Sequence, residues 1–203
     1  MRGQILQMFA ALERVGATPI EPRAFHSFAF LANVLSSVWG FEPIDGSVLK
    51  DEGAPYFPEL QREVDHLIGE RFIIVHNLSL LVSGRIKTTF RLDHMRARPV
   101  LDSLATLPDQ MGIDSFLIEV ADAFADIDDD RKDDAASVDA NYSDPAIATG
   151  RVVDFGQWRS PTEGNAAWVT AEMFQEYLPD DFTLNRAEKV NLYMQLMKQR
   201  AHG

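Results

Sequence analysis

Apolar residues three and four positions apart predict three helices within the first 70 residues. The first helix ends at Gly16, because glycine readily adopts the left-handed conformation that closes a helix. The second begins at Pro22 and the third at Pro58, each with proline in the first turn, where its missing N–H is not needed. The segment 40–58 is rich in Pro and Gly turn signals and is predicted to be a connector, with 47–49 briefly extended.

Two stretches after the third helix have the composition of strands. Residues 72–75 form a compact aromatic and β-branched run, and residues 85–92 alternate polar and apolar side chains as a strand with one solvated face does. A short extended piece at 18–20 separates the first two helices. The order helix, extended piece, helix, helix and two-stranded hairpin is that of a winged helix, which we predict for residues 1–93.

The remainder of the chain, residues 94–203, is predicted to be a helical C-terminal region. The fold class is therefore mainly α with a small antiparallel β hairpin. An acidic loop at about 122–144 is expected to interrupt the helices, and residues 151–155 have a composition compatible with an extended segment. The helices are predicted at 94–107, 113–125, 165–178 and about 184–200.

The charge of the chain is concentrated in its second half. The 203 residues carry a formal net charge of −12, yet residues 1–100 hold 11 acidic and 11 basic residues. The region 122–144 holds much of the excess, as a solvated loop or as a contact for a basic partner. Such a field repels phosphate, which disfavours strong nucleic-acid binding by the C-terminal half.

Neither the composition nor the motifs indicate an enzyme. The chain has no Cys, which excludes thiolate zinc sites, disulfides and cysteine nucleophiles. The five His include no pair at i, i+4, and no phosphate-binding, dinucleotide or nucleophile-elbow motif occurs. The triplet Asp126-x-Asp128-x-Asp130 opens like a calcium loop, but Arg131 and Ser137 stand where that loop needs Gly and Glu. We expect no catalytic residue, cofactor or metal, and the absence of a long apolar run predicts a cytoplasmic protein without a membrane span.

The predicted winged helix does not have the charge of a typical DNA reader. Its third helix carries four carboxylates against two basic residues, and those carboxylates would approach phosphates and base edges unfavourably. The acidic residues are Glu59, Glu63, Asp65 and Glu70, and the basic ones are Arg62 and Arg71. The wing differs, because Arg85, Lys87 and Arg91 alternate along one strand. This basic patch is compatible with a solvated surface, a protein contact or a nucleic-acid contact.

A partner-binding site is predicted in the loop before the helix expected at 165–178. Trp158 lies between Gly156-Gln157 and Arg159-Ser160-Pro161, where a loop has little core of its own. Aromatic residues in such positions carry interface energy. We therefore assign Phe155, Trp158 and Arg159 as candidate partner-binding residues.

One segment resembles a known group of proteins. The second helix is Phe-rich and contains Ala32-Asn33-Val34-Leu35, and Gly53-Ala54-Pro55-Tyr56-Phe57-Pro58 then precedes an amphipathic helix. Residues 5–75, about a third of the chain, resemble the small "middle components" of bacterial three-component systems built around an ABC/SMC-like ATPase, including Lamassu-type anti-phage and anti-plasmid defence.

The resemblance implies a non-catalytic winged-helix subunit that binds an SMC-like ATPase and helps to hold an effector such as a nuclease, with DNA contacted only weakly or through its partners. A winged-helix DNA-binding regulator or antitoxin is the alternative. A regulator would favour Arg, Lys, Asn or Gln on the third helix.

Overall fold

A computed structural model of the chain describes residues 1–43, 47–51, 53–81, 86–139, 142–154, 165–179 and 181–202. These residues contain eight α-helices, one 3-10 turn and five short strands. The helices are α1 (Arg2–Arg14), α2 (Pro22–Trp39), α3 (Pro58–Gly69), α4 (His94–Leu104), α5 (Pro108–Ala125), α6 (Lys132–Ser137), α7 (Ala166–Glu176) and α8 (Arg186–His202), with the 3-10 turn at Asp129–Arg131. The strands are β1 (Ser47–Lys50), β2 (Pro55–Tyr56), β3 (Ile73–Leu80), β4 (Ile86–Leu92) and β5 (Val152–Asp154).

The predicted fold class, mainly α with a small antiparallel hairpin, is confirmed. The strands β3 and β4 pair antiparallel in the register Ile73↔Leu92. The extended residue Ile20 bridges to Phe90 on the other side of β4. This is the connectivity on which the winged-helix prediction depends, and the winged-helix assignment itself stays a prediction.

The helix α2 is the centre of the core. Fourteen of its 18 residues are buried, so it is enclosed on nearly all sides rather than along one face. It packs against α5, α6, α7 and α8 as well as β2. One hydrophobic cluster therefore contains residues from both 1–93 and 94–203. The division into two domains at residue 93 stays a prediction.

The C-terminal elements begin and end differently from the sequence prediction. The helix expected at 94–107 ends at Leu104, and α5 begins at Pro108 rather than at residue 113. Pro108 occupies the first turn of α5, where its lack of an N–H costs no hydrogen bond. The acidic stretch expected as a loop contains α6, because the adjacent Ala135 and Ala136 are buried where α6 packs on α2 and α8.

A second small sheet joins distant parts of the chain. The strand β1 pairs antiparallel with β2 on one side and with β5 on the other. Val48 lies opposite Val153, and both side chains are buried. The strands β1 and β5 thus lie where extended segments were expected, near 47–49 and within 151–155, and they are neighbours in one sheet; residue 155 lies outside the described part of the chain.

Candidate functional site at the β3–β4 hairpin

The hairpin is longer than the sequence prediction. The strand β3 continues beyond the predicted run 72–75 as far as Leu80, where it pairs with Ile86. A bulge between Val75 and Asn77 places one extra residue in β3, so Leu78 and Leu80 point to the same face as Val75. Residues 82–85 lie outside the described part of the chain.

One face of the hairpin is buried at its base and exposed at its far end. Ile73, Phe90 and Leu92 are buried against the helices. Leu78, Leu80 and Ile86 lie farther along the strands and are 69%, 74% and 66% exposed. We call these three residues the hairpin tip. Their side chains extend the apolar face beyond the core, which makes the hairpin tip a candidate interaction surface.

The hairpin tip is not among the candidate residues predicted from the sequence. Ile86 falls within the strand predicted at 85–92, and residues 76–81 were assigned no role. The alternation of Leu78 and Leu80 with Asn77 and Ser79 is the signal that would have extended β3. Exposure could not be inferred from that pattern, because alternation does not show where the supporting helices end.

The predicted basic patch lies on the opposite face of the same hairpin. Lys87 pairs in register with Ser79, and Arg91 pairs with Ile74. The Nζ atom of Lys87 lies 2.6 Å from Glu21 Oε1, and this hydrogen bond raises the pKa of Lys87. Arg91 is exposed to solvent. Arg85, the third member of the patch, lies outside the described residues.

A charged cleft of about 430 Å³ separates β4 from the acidic segment. Asp133 Oδ1 accepts a hydrogen bond from Ser27 Oγ at 3.1 Å, and burial raises the pKa of Asp133. Lys132, itself buried, donates to Asp129 at 2.5 Å. Lys87 and Lys132 are thus each paired with a carboxylate of the cleft lining, Glu21 and Asp129 respectively. The cleft is lined by Ala17, Pro19, Ile20, Glu21, Arg23, Ala24, Lys87, Thr89, Asp129, Asp130, Lys132 and Asp133.

The exposed side of α3 is acidic and is engaged by the N-terminus. Arg2 Nε lies 2.5 Å from Glu63 Oε2, and Arg2 Nη1 lies 3.0 Å from Glu70 Oε1. Glu59 and Asp65 remain exposed on the same helix. Arg2 thus compensates part of the acidic charge of this helix, and the expectation that the third helix disfavours DNA contact stays a prediction.

The described residues contain no group of three or more His, Cys, Asp or Glu side chains arranged to hold a metal ion. Asp128, from the rejected calcium triplet, lies 3.5 Å from His202 Nε2. His26 is buried between α2 and α3 with hydrogen bonds on both ring nitrogens. In the part of the chain that the structure describes, every helix is too short or too polar to span a bilayer.

The predicted partner-binding residues Phe155, Trp158 and Arg159 fall within 155–164, outside the described residues. Their assignment stays a prediction. The strand β5 ends immediately before them, and it anchors this part of the chain to β1.

Comparison with known proteins yields no family model, no curated protein and no solved structure that matches the chain. The resemblance seen in residues 5–75 therefore stays an expectation, and the hairpin has to be interpreted from its own geometry.

Proposed function

We propose that this protein is a non-catalytic, cytoplasmic subunit of a bacterial defence complex and that it binds its partner through the hairpin tip. The observation that carries the proposal is the exposure of Leu78, Leu80 and Ile86 on one face of a hairpin whose base is anchored in the core. Clustered apolar side chains of this kind supply the energy of a protein interface, whereas scattered charges mainly steer association.

The resemblance of residues 5–75 to middle components suggests the identity of the partner. An SMC-like ATPase is the expected direct partner, with an effector such as a nuclease held in the same assembly. The exposed Arg91 on the other hairpin face would act mainly on the association rate through long-range attraction, an effect that salt weakens.

The experiment is co-expression of the chain with the proteins encoded beside its gene, followed by measurement of the affinity for the ATPase. The double variant Leu78→Glu with Ile86→Glu places two charges on the hairpin tip, and we expect it to weaken binding by about 30-fold or more. Met95→Glu is the matched control, since Met95 on α4 is 88% exposed but lies outside the hairpin. The proposal is contradicted if the ATPase is recovered as a stable partner and the double variant binds it as tightly as Met95→Glu does.

Duplex DNA binding tests the alternative function, a winged-helix regulator or antitoxin. The acidic surface of α3 argues against it, because the exposed Glu59 and Asp65 would face the phosphates. We expect no sub-micromolar binding at physiological salt. Tight binding with a steep salt dependence would favour the regulator instead.

A further inference from the structure

We infer that the outer edge of β3 binds an extended, acidic segment of a partner protein by adding it as a further strand of the hairpin. This inference rests on the proposed function, because it specifies how the hairpin tip is recognised. The inferred contact is made by backbone hydrogen bonds. It can therefore be disproved by experiment even if the side chains of the hairpin tip do bind a partner.

The hydrogen bonds of Phe90 determine which way the backbone groups of the hairpin point. Phe90 N donates to Ile20 O at 2.8 Å, and Ile20 N donates to Phe90 O at 2.9 Å. Both polar groups of Phe90 therefore point away from β3. In an antiparallel pair, two residues that lie opposite each other either both bond across the pair or both point their backbone groups outward. Val75 lies opposite Phe90, so its N–H and C=O point away from β4.

The same alternation continues to the end of β3. Beyond the bulge, Leu78 lies opposite Thr88 and Leu80 lies opposite Ile86. Thr88 and Ile86 are two and four residues before Phe90, so Leu78 and Leu80 also direct their backbone groups outward. Within the described residues, β3 has β4 as its one strand neighbour. Three residues with outward backbone groups thus follow one another along an edge that is itself exposed.

This edge has few of the features that normally prevent strand pairing. Residues 73–80 contain no Asp, Glu, Lys, Arg or Pro, and the bulge near His76 is their one irregularity. The outer edge of β4 is different, because Ile20 already occupies it at Phe90. A partner strand can therefore be added beside β3 with its main-chain groups paired and its apolar side chains next to the hairpin tip.

Charge selects the kind of strand. The segment 71–92 contains four basic residues, Arg71, Arg85, Lys87 and Arg91, and no acidic residue. The remainder of the chain is strongly acidic, so the hairpin is its basic element. A second copy would bring the same basic segment against itself, which repels even with Lys87 paired to Glu21, whereas a strand flanked by Asp or Glu is attracted. The partner segment therefore alternates apolar and polar residues and has acidic flanks.

Hydrogen exchange of the full chain tests this geometry with a synthetic probe. The probe is the blocked peptide Asp-Asp-Val-Thr-Val-Thr-Val-Thr-Asp-Asp, and its control has Lys in place of every Asp. We expect the amides of Val75, Leu78 and Leu80 to exchange rapidly in the free chain and to become at least about tenfold slower with saturating acidic peptide. The Lys-flanked peptide should bind about tenfold more weakly or worse. The amides of Ile74 and Ser79, which point toward β4, serve as internal references.

Three results would overturn the inference. The first is that the acidic peptide leaves the three outward amides unprotected. The second is that the Lys-flanked peptide protects them as well as the acidic peptide does. The third is that the chain alone forms dimers in which these amides are protected. The last result would identify a second copy as the occupant.

Substitution at one position separates backbone pairing from side-chain packing. Leu80→Pro removes an outward N–H, whereas Leu80→Ala keeps it and removes most of the side chain. We expect L80P to reduce peptide binding at least about tenfold relative to L80A. If L80P also disturbs the hairpin, the inference is decided by whether the acidic peptide protects the outward amides of the unmodified chain. An ATPase complex that is lost in the Leu78→Glu, Ile86→Glu variant but retained in L80P would contradict strand addition and leave the proposed function standing.

Discussion

His26 Nδ1 accepts a hydrogen bond from the backbone N–H of Phe57 at a distance of 3.1 Å. The ring of a residue in α2 thereby satisfies an amide at the start of α3. An amide N–H can only donate, so the proton of the neutral ring is on Nε2, which donates to Gln61 Oε1 at 3.0 Å. The neutral imidazole thus connects two helices through both of its nitrogens.

The neutrality of His26 predicts a dependence of stability on pH. Burial lowers the pKa of His26 below its ordinary value of 6.5, because the charged ring is poorly solvated there. The unfolded chain then binds this proton more readily than the folded chain. The contribution of His26 to stability is complete above about pH 6.5 and is lost as the pH falls through the folded pKa.

Urea unfolding of His26→Gln and of the unmodified chain between pH 5 and 8 checks this prediction. We expect the unmodified chain to lose more stability on acidification than H26Q does. His66→Gln changes an exposed imidazole and is the matched control. Parallel stability curves for the unmodified chain and H26Q would show that His26 does not produce the dependence.

Arg71 predicts a stabilising substitution. It follows α3 with φ of +62°, and Phe72 N donates to Leu67 O at 2.8 Å, which is the closing bond of a left-handed helix end. Gly16 closes α1 in the same way with φ of +78°. A side chain in this conformation costs about 1 kcal/mol relative to glycine. Arg71→Gly should therefore stabilise the protein by about 0.5–1 kcal/mol, measured by urea unfolding.

Gly16, the left-handed residue after α1, allows the opposite substitution, whose effect on stability can be compared with that of Arg71→Gly. Gly16→Ala introduces a side chain at positive φ and should destabilise the protein by about 1 kcal/mol, although no atom lies near the added Cβ. Equal effects of R71G and G16A in the same direction would refute the conformational explanation.

Tyr193 and Asp139 form a buried hydrogen-bonded pair. We expect removal of the Tyr193 hydroxyl to lower the stability of the protein substantially. The phenol of Tyr193 in α8 donates to Asp139 Oδ2, and Tyr142 N donates to Asp139 Oδ1 at 3.1 Å. Burial raises the pKa of Tyr193 well above its ordinary value, so the donor keeps its proton. Tyr193→Phe should cost about 2 kcal/mol of unfolding free energy, because it removes a hydrogen bond to a buried carboxylate.

Thermal and urea unfolding measure that loss. Tyr177→Phe is the matched control, since Tyr177 is exposed and its hydroxyl should contribute little. A loss of stability in Y177F as large as that in Y193F would show that the effect does not come from burial of the pair.

The sequence predicted those elements whose boundaries are chemically marked. Gly16, Pro22 and Pro58 define the ends of helices in the sequence and in the structure alike. The end of α3 was not predictable in the same way. Gly69 is the last residue of the helix, as its place in the sequence indicates, but the left-handed closing position two residues later is held by Arg71.

The candidate site was predicted only in part, because exposure depends on what packs nearby. The alternation from 85 to 92 correctly predicted a strand with Lys87 and Arg91 on one face. It could not show that Lys87 reaches Glu21, or that Ile86 lies beyond the helices that bury Phe90. Such outcomes depend on long-range packing, which a local pattern does not contain.

The enclosure of α2 has a consequence for synthesis of the protein on the ribosome. The helix emerges early, but α8, one of the helices that cover it, is translated about 150 residues later. At ordinary elongation rates this interval is roughly 8–30 s. During that time the nascent chain carries Phe28, Phe30 and Leu31 without their full covering, which makes it a natural client of ribosome-associated chaperones.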